Sequence, residues 1–519
     1  MIDLLIRDAM VVDGTGQAGF RADVAVEGQN IAAVGQLGAA ESRETFSGAG
    51  LVVSPGFIDL HAHSDLALLK QPDHLPKIMQ GVTTDAFSSC GLGFAPLTPG
   101  NKSAIKSLYA PIFGATEDMA WGWESIADFM DLLDGTTSVN SAYFAGHGPI
   151  RLAVMGTENR APTAHELDLM AGMVGEAMDR GAVGMSCGLA YTPMIFSGHD
   201  ELVALTREVA KRDGIFSIHM RSYGPEIEQA VEEAVAVCEE SGVRLQISHY
   251  MVTGTLNFGR AEELLAWIDK AAERGVDVTF DAYPYTAGST VVSMALPGWA
   301  QEGEPDQILA RLQNPETRPR ILTDMRADRY MDWNYSVIAA VKTSKNRHLE
   351  GVKVTDAATA AGKDVHEFVL DLLGDEDLEV AHTIHLGSEP DMRVIMRHPA
   401  HSFGSDGLHV EGKPHPRLYG CFPRVLGRYV REDGVLTLEQ AIHKMTGHNA
   451  KRLGLTDRGV VEAGKAADLV VFDPDTIIDN ATYDDPRRYP DGIRLVMVNG
   501  RLVVRDGEYS GEKPGRVLR

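Results

Sequence analysis

Short apolar runs alternate with helical stretches through the middle of the chain. Eight runs read as strands: LVVSPGFIDLHAH, VTTDAFSSC, NSAYFAGHG, AVGMSCGL, IFSIHM, VRLQISHY, VDVTFDAYPY and HSFGSDG. Between most of them apolar positions recur at three- and four-residue spacing, as in HELDLMAGMVGEAMDRG, ELVALTREVAKRDG, PEIEQAVEEAVAVCEESG and AEELLAWIDKAAERG. That spacing predicts amphipathic helices. Gly81, Gly181, Gly214, Gly242 and Gly275 each stand just before an apolar run, where a left-handed residue would turn the chain back toward a sheet. Strand, helix, glycine and strand in repetition build a parallel sheet, and eight such α/β units close into a (β/α)8 TIM-like barrel.

One unit is irregular. About 110 residues separate YPYTAGSTV from HSFGSDG, far more than a normal crossover. DQILARLQN and DVHEFVLDLLGD within it predict a partly helical insertion, at about 290–398, that covers the barrel mouth. A last helical pattern, TLEQAIHKMTGHNAKRLGL, follows the eighth strand. Both termini read instead as short strands between turn residues, and neither has enough strands for its own core. They are expected to pair into one small β-sandwich domain, 1–53 with 456–519, beside a catalytic barrel spanning 54–455.

Composition narrows the function. With 519 residues, 44% hydrophobic and 23% charged, the chain is an ordinary globular one of more than one domain. A net charge of −25 disfavours nucleic acid, whose phosphates need clustered Lys and Arg. Cys90, Cys187, Cys238 and Cys421 are too scattered for a disulfide framework and suit a reducing cytosol. The start, MIDLLIRDAMVVDGTGQ, lacks a signal-peptide pattern, and no apolar run nears the roughly 20 residues of a membrane span. A cytoplasmic protein is expected, without membrane or nucleic-acid partners, acting on a small molecule; a homo-oligomer is left open.

In a barrel of this type, the C-terminal strand ends share one mouth. The first strand ends in His61 and His63, the second in Cys90, the fifth in His219, the sixth in His249 and the eighth in Asp406. Residues two apart on a strand point the same way, so His61 and His63 converge. Imidazole and thiolate together suit Zn²⁺ better than Mg²⁺ or Ca²⁺. Each residue alone has a plainer reading: a hydrogen-bonded core histidine, an inert thiol, a turn aspartate. Those readings would all have to hold independently at five strand ends. His147, also at a strand end, is a weaker candidate; Cys187 keeps the plain reading, and Asp65, just past His63, is placed in a loop without a role. Zinc lowers the pKa of a bound water to roughly 7 and polarises a carbonyl, and Asp406 would move the proton from water to a leaving nitrogen. This fits hydrolysis of a linear amide, and fits a cyclic amide or a deamination almost as well. A catalytically inactive scaffold is a third reading, which the joint presence of all six residues disfavours.

At these residues the chain resembles the amidohydrolase superfamily, and within it the N-acyl-D-amino-acid deacylase (D-aminoacylase) family. PGFIDLHAHSD, GVTT, GHGPIR, GLAYTP, IHMRS, ISHYM, DAYPYTAGST, GSDG, HPRLYGCFPRVLGRYVRE and RGVVEAGKAADLVVFDP follow that family's order over nearly the whole chain. The resemblance implies a zinc enzyme: Cys90, His219 and His249 holding the tighter ion, His61 and His63 a second, weaker site sharing Cys90, and Asp406 as acid and base. Many other amidohydrolases bridge two metals with a carboxylated lysine after the fourth strand, but MSCGLAYTP has none. Tyr191, Tyr283 and Ser289 match positions that resemble substrate contacts. Met251 stands where the family usually has a lysine for the substrate carboxylate, and Tyr223 where it usually has glutamate. With Arg221 or Arg417 as the remaining cations, the expected substrate is an amide with a bulkier or less anionic amine portion than a typical N-acyl-D-amino acid.

Overall fold

The computed structural model of the chain describes residues 1–114, 119–328 and 331–519. Eight short strands run parallel, each hydrogen-bonded to the next: Phe57–Asp59, Val82–Phe87, Asn140–Gly146, Gly184–Gly188, Ile215–His219, Arg244–Ile247, Val278–Ala282 and His401–Phe403. Each lies within one of the eight expected runs, but the first run divides: its start, Val52–Pro55, belongs to the sheet of the termini and only Phe57–Asp59 to the barrel wall. Most are buried along their whole length, because helices cover the outside and side chains fill the inside. Helix Ile227–Ser241 ends at Gly242 with φ 75°, as the glycine pattern predicts. Gly214 is different. Asp213 takes the left-handed turn there, at φ 55°, and a Cβ on Gly214 would meet Met178 Cε at 2.4 Å. Close packing against Met178 and Val209, not backbone freedom, favours that glycine.

The barrel closes at its rim, where Ala62–His63 pairs in parallel with Gly407–Leu408. Buried side chains staple the seam below. Asn449 Nδ2 donates to the carbonyls of Ile58, 2.8 Å away, and Phe403, 3.0 Å away. Lys77, wholly buried, is ion-paired with Asp59 and Asp85 and donates to Ser405 Oγ at 2.8 Å. The final helical pattern is broken at Thr446 into Leu438–Met445 and Gly447–Arg452, and the second piece carries Asn449.

Strands from both termini form one continuous nine-stranded sheet. Its hinge is Val52–Pro55, which pairs with Ile2–Val11 on one side and Leu469–Phe472 on the other. The sheet curls until Asn30 bridges Ala466, enclosing a core that includes Ile6, Val24, Val26, Leu469 and Val471. The segment before the eighth barrel strand is more than partly helical. Gly288–Val291, Ser336–Val341 and Val380–Ile384 make an antiparallel sheet, and four helices pack around it on a separate core that includes Leu312, Ile338 and Val369. Among the described residues no helix is long and apolar enough to cross a membrane.

Candidate active site

The six strand-end residues meet at the C-terminal rim. One ligand-type atom from each of Cys90, His219 and His249 lies within 4.8 Å of the others, and the same holds for His61, His63 and Cys90, and for His61, His249 and Asp406. Cys90 Sγ is 3.3 Å from His61 Nε2 and 3.6 Å from His249 Nε2.

Three of the six stand in a conformation that only glycine adopts freely: Cys90 at φ 56°, His249 at φ 36° and Asp406 at φ 50°. Such backbone costs about 1–3 kcal/mol each and persists only where its surroundings enforce it. The Cys90 turn is enforced by neighbours without side chains. A Cβ on Gly188 would strike the Cys90 carbonyl at 2.2 Å, and one on Gly91 would strike Met194 Sδ at 2.1 Å. Ser186 Oγ also accepts from Gly91 N at 3.0 Å. At His249 the backbone N–H donates to Asp281 Oδ1 at 2.9 Å, and at Asp406 it donates to the His61 carbonyl at 2.8 Å.

Asp281 was not among the expected site residues. It sits beside His61, with Oδ1 3.1 Å from Nδ1, so Nδ1 donates there and Nε2 faces Cys90; Asp281, Cys90 and Asp406 outweigh burial and hold the His61 pKa well above the ordinary histidine value, so a cation at Nε2 takes the place of a proton. Its only sequence signal is an acidic residue near the end of a buried strand. Burial pushes His219 down to about 3 and His249 well below the ordinary histidine value, so both are neutral and able to donate a lone pair. Burial also pushes the Cys90 thiol up, more than nearby His61 pulls it down. A thiolate in this place therefore needs a cation. His63 Nδ1 and His219 Nδ1 are buried with no hydrogen-bond partner. The neutral imidazoles of His63, His219 and His249, the orphaned ring nitrogens of the first two and a thiol beside them fit a soft divalent ion such as zinc.

Asp406 Oδ1 lies 3.0 Å from His63 Nε2, and Oδ2 lies 2.9 Å from Arg417 Nη2. Burial would raise this carboxyl, but Arg417, then His61 and His63, outweigh it and hold the pKa well below the usual carboxylate range. Arg417 is wholly buried and stacks 4.4 Å from the Tyr283 ring centroid. A cavity of about 260 Å³ opens onto the group, with His63, His219, His249 and Asp406 in its wall.

Tyr191, Arg221, Met251, Tyr283 and Ser289 all line this cavity, but not in equivalent ways. Tyr191 packs its ring 4.8 Å from His219 and shares a 3.0 Å hydrogen bond with Thr290 Oγ1. Arg221 gives its guanidinium to Glu233 and to the carbonyls of Ile195 and Ser197, so little of its charge faces inward. Tyr223 donates its hydroxyl to the Ser248 carbonyl at 2.9 Å and turns its ring to His219 and His249. His147 is not part of the group: it is buried between Cys187 Sγ, at 3.3 Å, and Glu201 Oε1, at 2.8 Å. Asp65 is not in a loop but opens helix Asp65–Lys70, where its carboxylate accepts from Ser88.

The amidohydrolase family profile matches residues 44–504. The D-aminoacylase of Alcaligenes xylosoxydans xylosoxydans is 38% identical over 518 residues, covering 99% of this chain and 97% of its own. A D-aminoacylase structure from work on its binuclear metal centre, with one-metal activation and second-metal attenuation, superposes with a TM-score of 0.86 at 37% identity, covering 100% of both chains. The N-acyl-D-glutamate deacylase of Bordetella bronchiseptica, solved with zinc and a phosphonate mimic of the tetrahedral intermediate, gives 0.85 at 35% identity, covering 100% of this chain and 99% of its own. A shared fold over the full length and a cysteine at the centre of the donor group lead to one conclusion: this chain belongs to the amidohydrolase family, among the D-aminoacylases.

Proposed function

We propose that this protein is a zinc-dependent hydrolase of linear N-acyl amides, acting in the manner of an N-acyl-D-amino-acid deacylase. The observation that carries this reading is the meeting of Cys90, His219 and His249 in one donor group, whose His219 and His249 share a cavity wall with Asp406. Cys90, His219 and His249 would hold the tighter ion, and His61 and His63 a weaker one sharing Cys90. A bound zinc supplies an activated water and polarises the scissile carbonyl.

The chain's own residues do the rest. Asp406, kept ionised by Arg417, takes the proton of the attacking water and delivers it to the leaving nitrogen. Its Oδ1 lies 3.5 Å from His61 Nε2 and 3.0 Å from His63 Nε2, so the proton moves along the edge of the donor group. Asp281 fixes the His61 ring, and Tyr223 packs against His219 and His249 to hold their orientation. Tyr191, Tyr283 and the unpartnered hydroxyl of Ser289 line the substrate space.

The substrate's amine portion is bulkier or less anionic than that of a typical N-acyl-D-amino acid. Met251 makes the wall apolar, Arg221 is occupied by Glu233, and Arg417 is already paired with Asp406. A screen of N-acyl amino acids of both hands, with zinc measured on the same sample, tests the activity. Comparing kcat/KM for free acids with their neutral amides and esters tests the substrate: a strong preference for free acids would overturn it.

A further inference from the structure

Asp65, two residues past His63, is wholly buried, and it stands in none of the donor groups found among the described residues. Its carboxylate is turned to one neighbour. Oδ1 accepts from the Ser88 hydroxyl, and Oδ2 accepts from the Ser88 backbone N–H at 3.3 Å. Ser88 begins the turn that carries Cys90, just after the second barrel strand ends at Phe87. Along that turn Ser88 stands at φ 61°, Cys90 at φ 56° and Gly91 at φ 70°. Two residues with side chains therefore hold a backbone that glycine alone adopts freely, and something outside the turn must keep them there.

We infer that Asp65 is a positioning residue for the metal centre: through Ser88 it fixes the Cys90 turn, so that the sulfur stands among the imidazoles before any ion is bound. The inference rests on the proposed metal-dependent reading and deepens it. The first strand end is locked to this turn at two points. Ala62 N, between the two histidines, donates to Ser89 Oγ at 3.3 Å, and Asp65 takes both donors of Ser88. On the far side Ser186 Oγ, from the fourth strand, donates to the Ser88 carbonyl and accepts from Gly91 N at 3.0 Å. The order His61, Ala62, His63, Asp65 thus interleaves ligands with residues that grip the turn holding Cys90. Cys90 Sγ is 3.3 Å from His61 Nε2 and 3.6 Å from His249 Nε2. A turn released into ordinary right-handed or extended backbone would swing the Cys90 side chain away from both nitrogens.

Zinc affinity is measured by chelator competition on the metal-free full chain, for the parent, Asp65→Asn, Asp65→Ala, Ser88→Ala and the double Ala variant. Losing an outer partner of a metal ligand costs about 10- to 100-fold in affinity, and each single Ala variant should show that loss. The double variant should lose no more than about two-fold beyond the worse single one, because both changes cut the same contact. Asp65→Asn keeps the shape and an acceptor for Ser88, so its affinity should stay within about five-fold of the parent. With cobalt in place of zinc, the thiolate-to-cobalt absorption should weaken in the Ala variants relative to the ligand-field bands. An Asp65→Ala protein with parent affinity, or losses that multiply in the double variant, would overturn the inference. Alkylation of the metal-free proteins by iodoacetamide, mapped by mass spectrometry, reads the turn without any ion. All four cysteines are buried, and Cys90 alone should react faster in the Ala variants, by roughly the 10-fold or more expected for affinity. An unchanged Cys90 rate, or an equal rise at Cys187, Cys238 and Cys421 in both single variants, would also overturn it. If the parent holds neither zinc nor cobalt, the metal reading fails, and the Cys90 rates alone decide whether Asp65 holds the turn.

Discussion

Arg417 Nη2 lies 2.9 Å from Asp406 Oδ2, and both side chains are almost wholly withdrawn from solvent. The guanidinium keeps Asp406 ionised against the burial that would otherwise protonate it. Replacing Arg417 with Gln removes the charge, so the Asp406 pKa rises and its base form is lost at higher pH. The acidic limb of the kcat/KM profile should move upward in pH, with kcat falling more than KM changes. An unmoved limb would take Arg417 out of this role.

Asp406→Asn keeps the size of the side chain but cannot carry a proton between water and nitrogen. General acid–base catalysis typically contributes 10²- to 10⁴-fold, so kcat should fall by about that factor. Zinc content, measured on the same preparation, should stay the same, because the Cys90–His219–His249 group is intact.

Cys90 stands in both of the donor groups that hold a thiol, whereas His63 stands in one. Cys90→Ser should therefore empty the protein of tightly held metal and of activity. His63→Asn should lower metal stoichiometry only under metal-rich conditions and keep a substantial part of the rate. Equal metal loss in the two variants would rule out the assignment of a tight and a weak site.

Met251→Lys puts an ammonium into an apolar part of the wall. A charge-assisted hydrogen bond is worth about 1.5–3 kcal/mol, or roughly 10- to 150-fold. The ratio of kcat/KM for a free N-acyl-D-amino acid to that for its methyl ester should rise by about that factor. No change would mean that the substrate carboxylate never approaches position 251.

Asp65 is buried beneath the site, and burial raises its pKa to about 7, against the hydrogen bonds from Ser88 that lower it. The folded state thus binds a proton that the unfolded state releases between pH 3.8 and about 7. Its contribution to stability is full at the low end of that window and is lost as pH rises through it. Asp65→Asn should remove this loss, so the variant should gain more Tm relative to the parent at pH 8 than at pH 5. The gain is on the order of 2–4 kcal/mol at most. Thermal unfolding of both proteins at the two pH values measures it.

The hydrophobic pattern by itself determined the eight-stranded barrel, because buried parallel strands and amphipathic helices each have a period that a single chain displays. It also put the metal-type residues at one rim, because strand ends in such a barrel share a face whatever their separation in sequence. It did not determine how those residues are held. The left-handed backbone of Cys90, His249 and Asp406 depends on glycine neighbours and on hydrogen bonds from other strands, and no local periodicity encodes these. Asp281 orients His61 across 220 residues, and His63 meets Asp406 across 343, so their roles exist only once the barrel is closed. The insertion shows the same division. Its helices were legible, but its three strands are short and pair with partners far along the chain, and only their assembly over the mouth decides the shape of the space a substrate must enter.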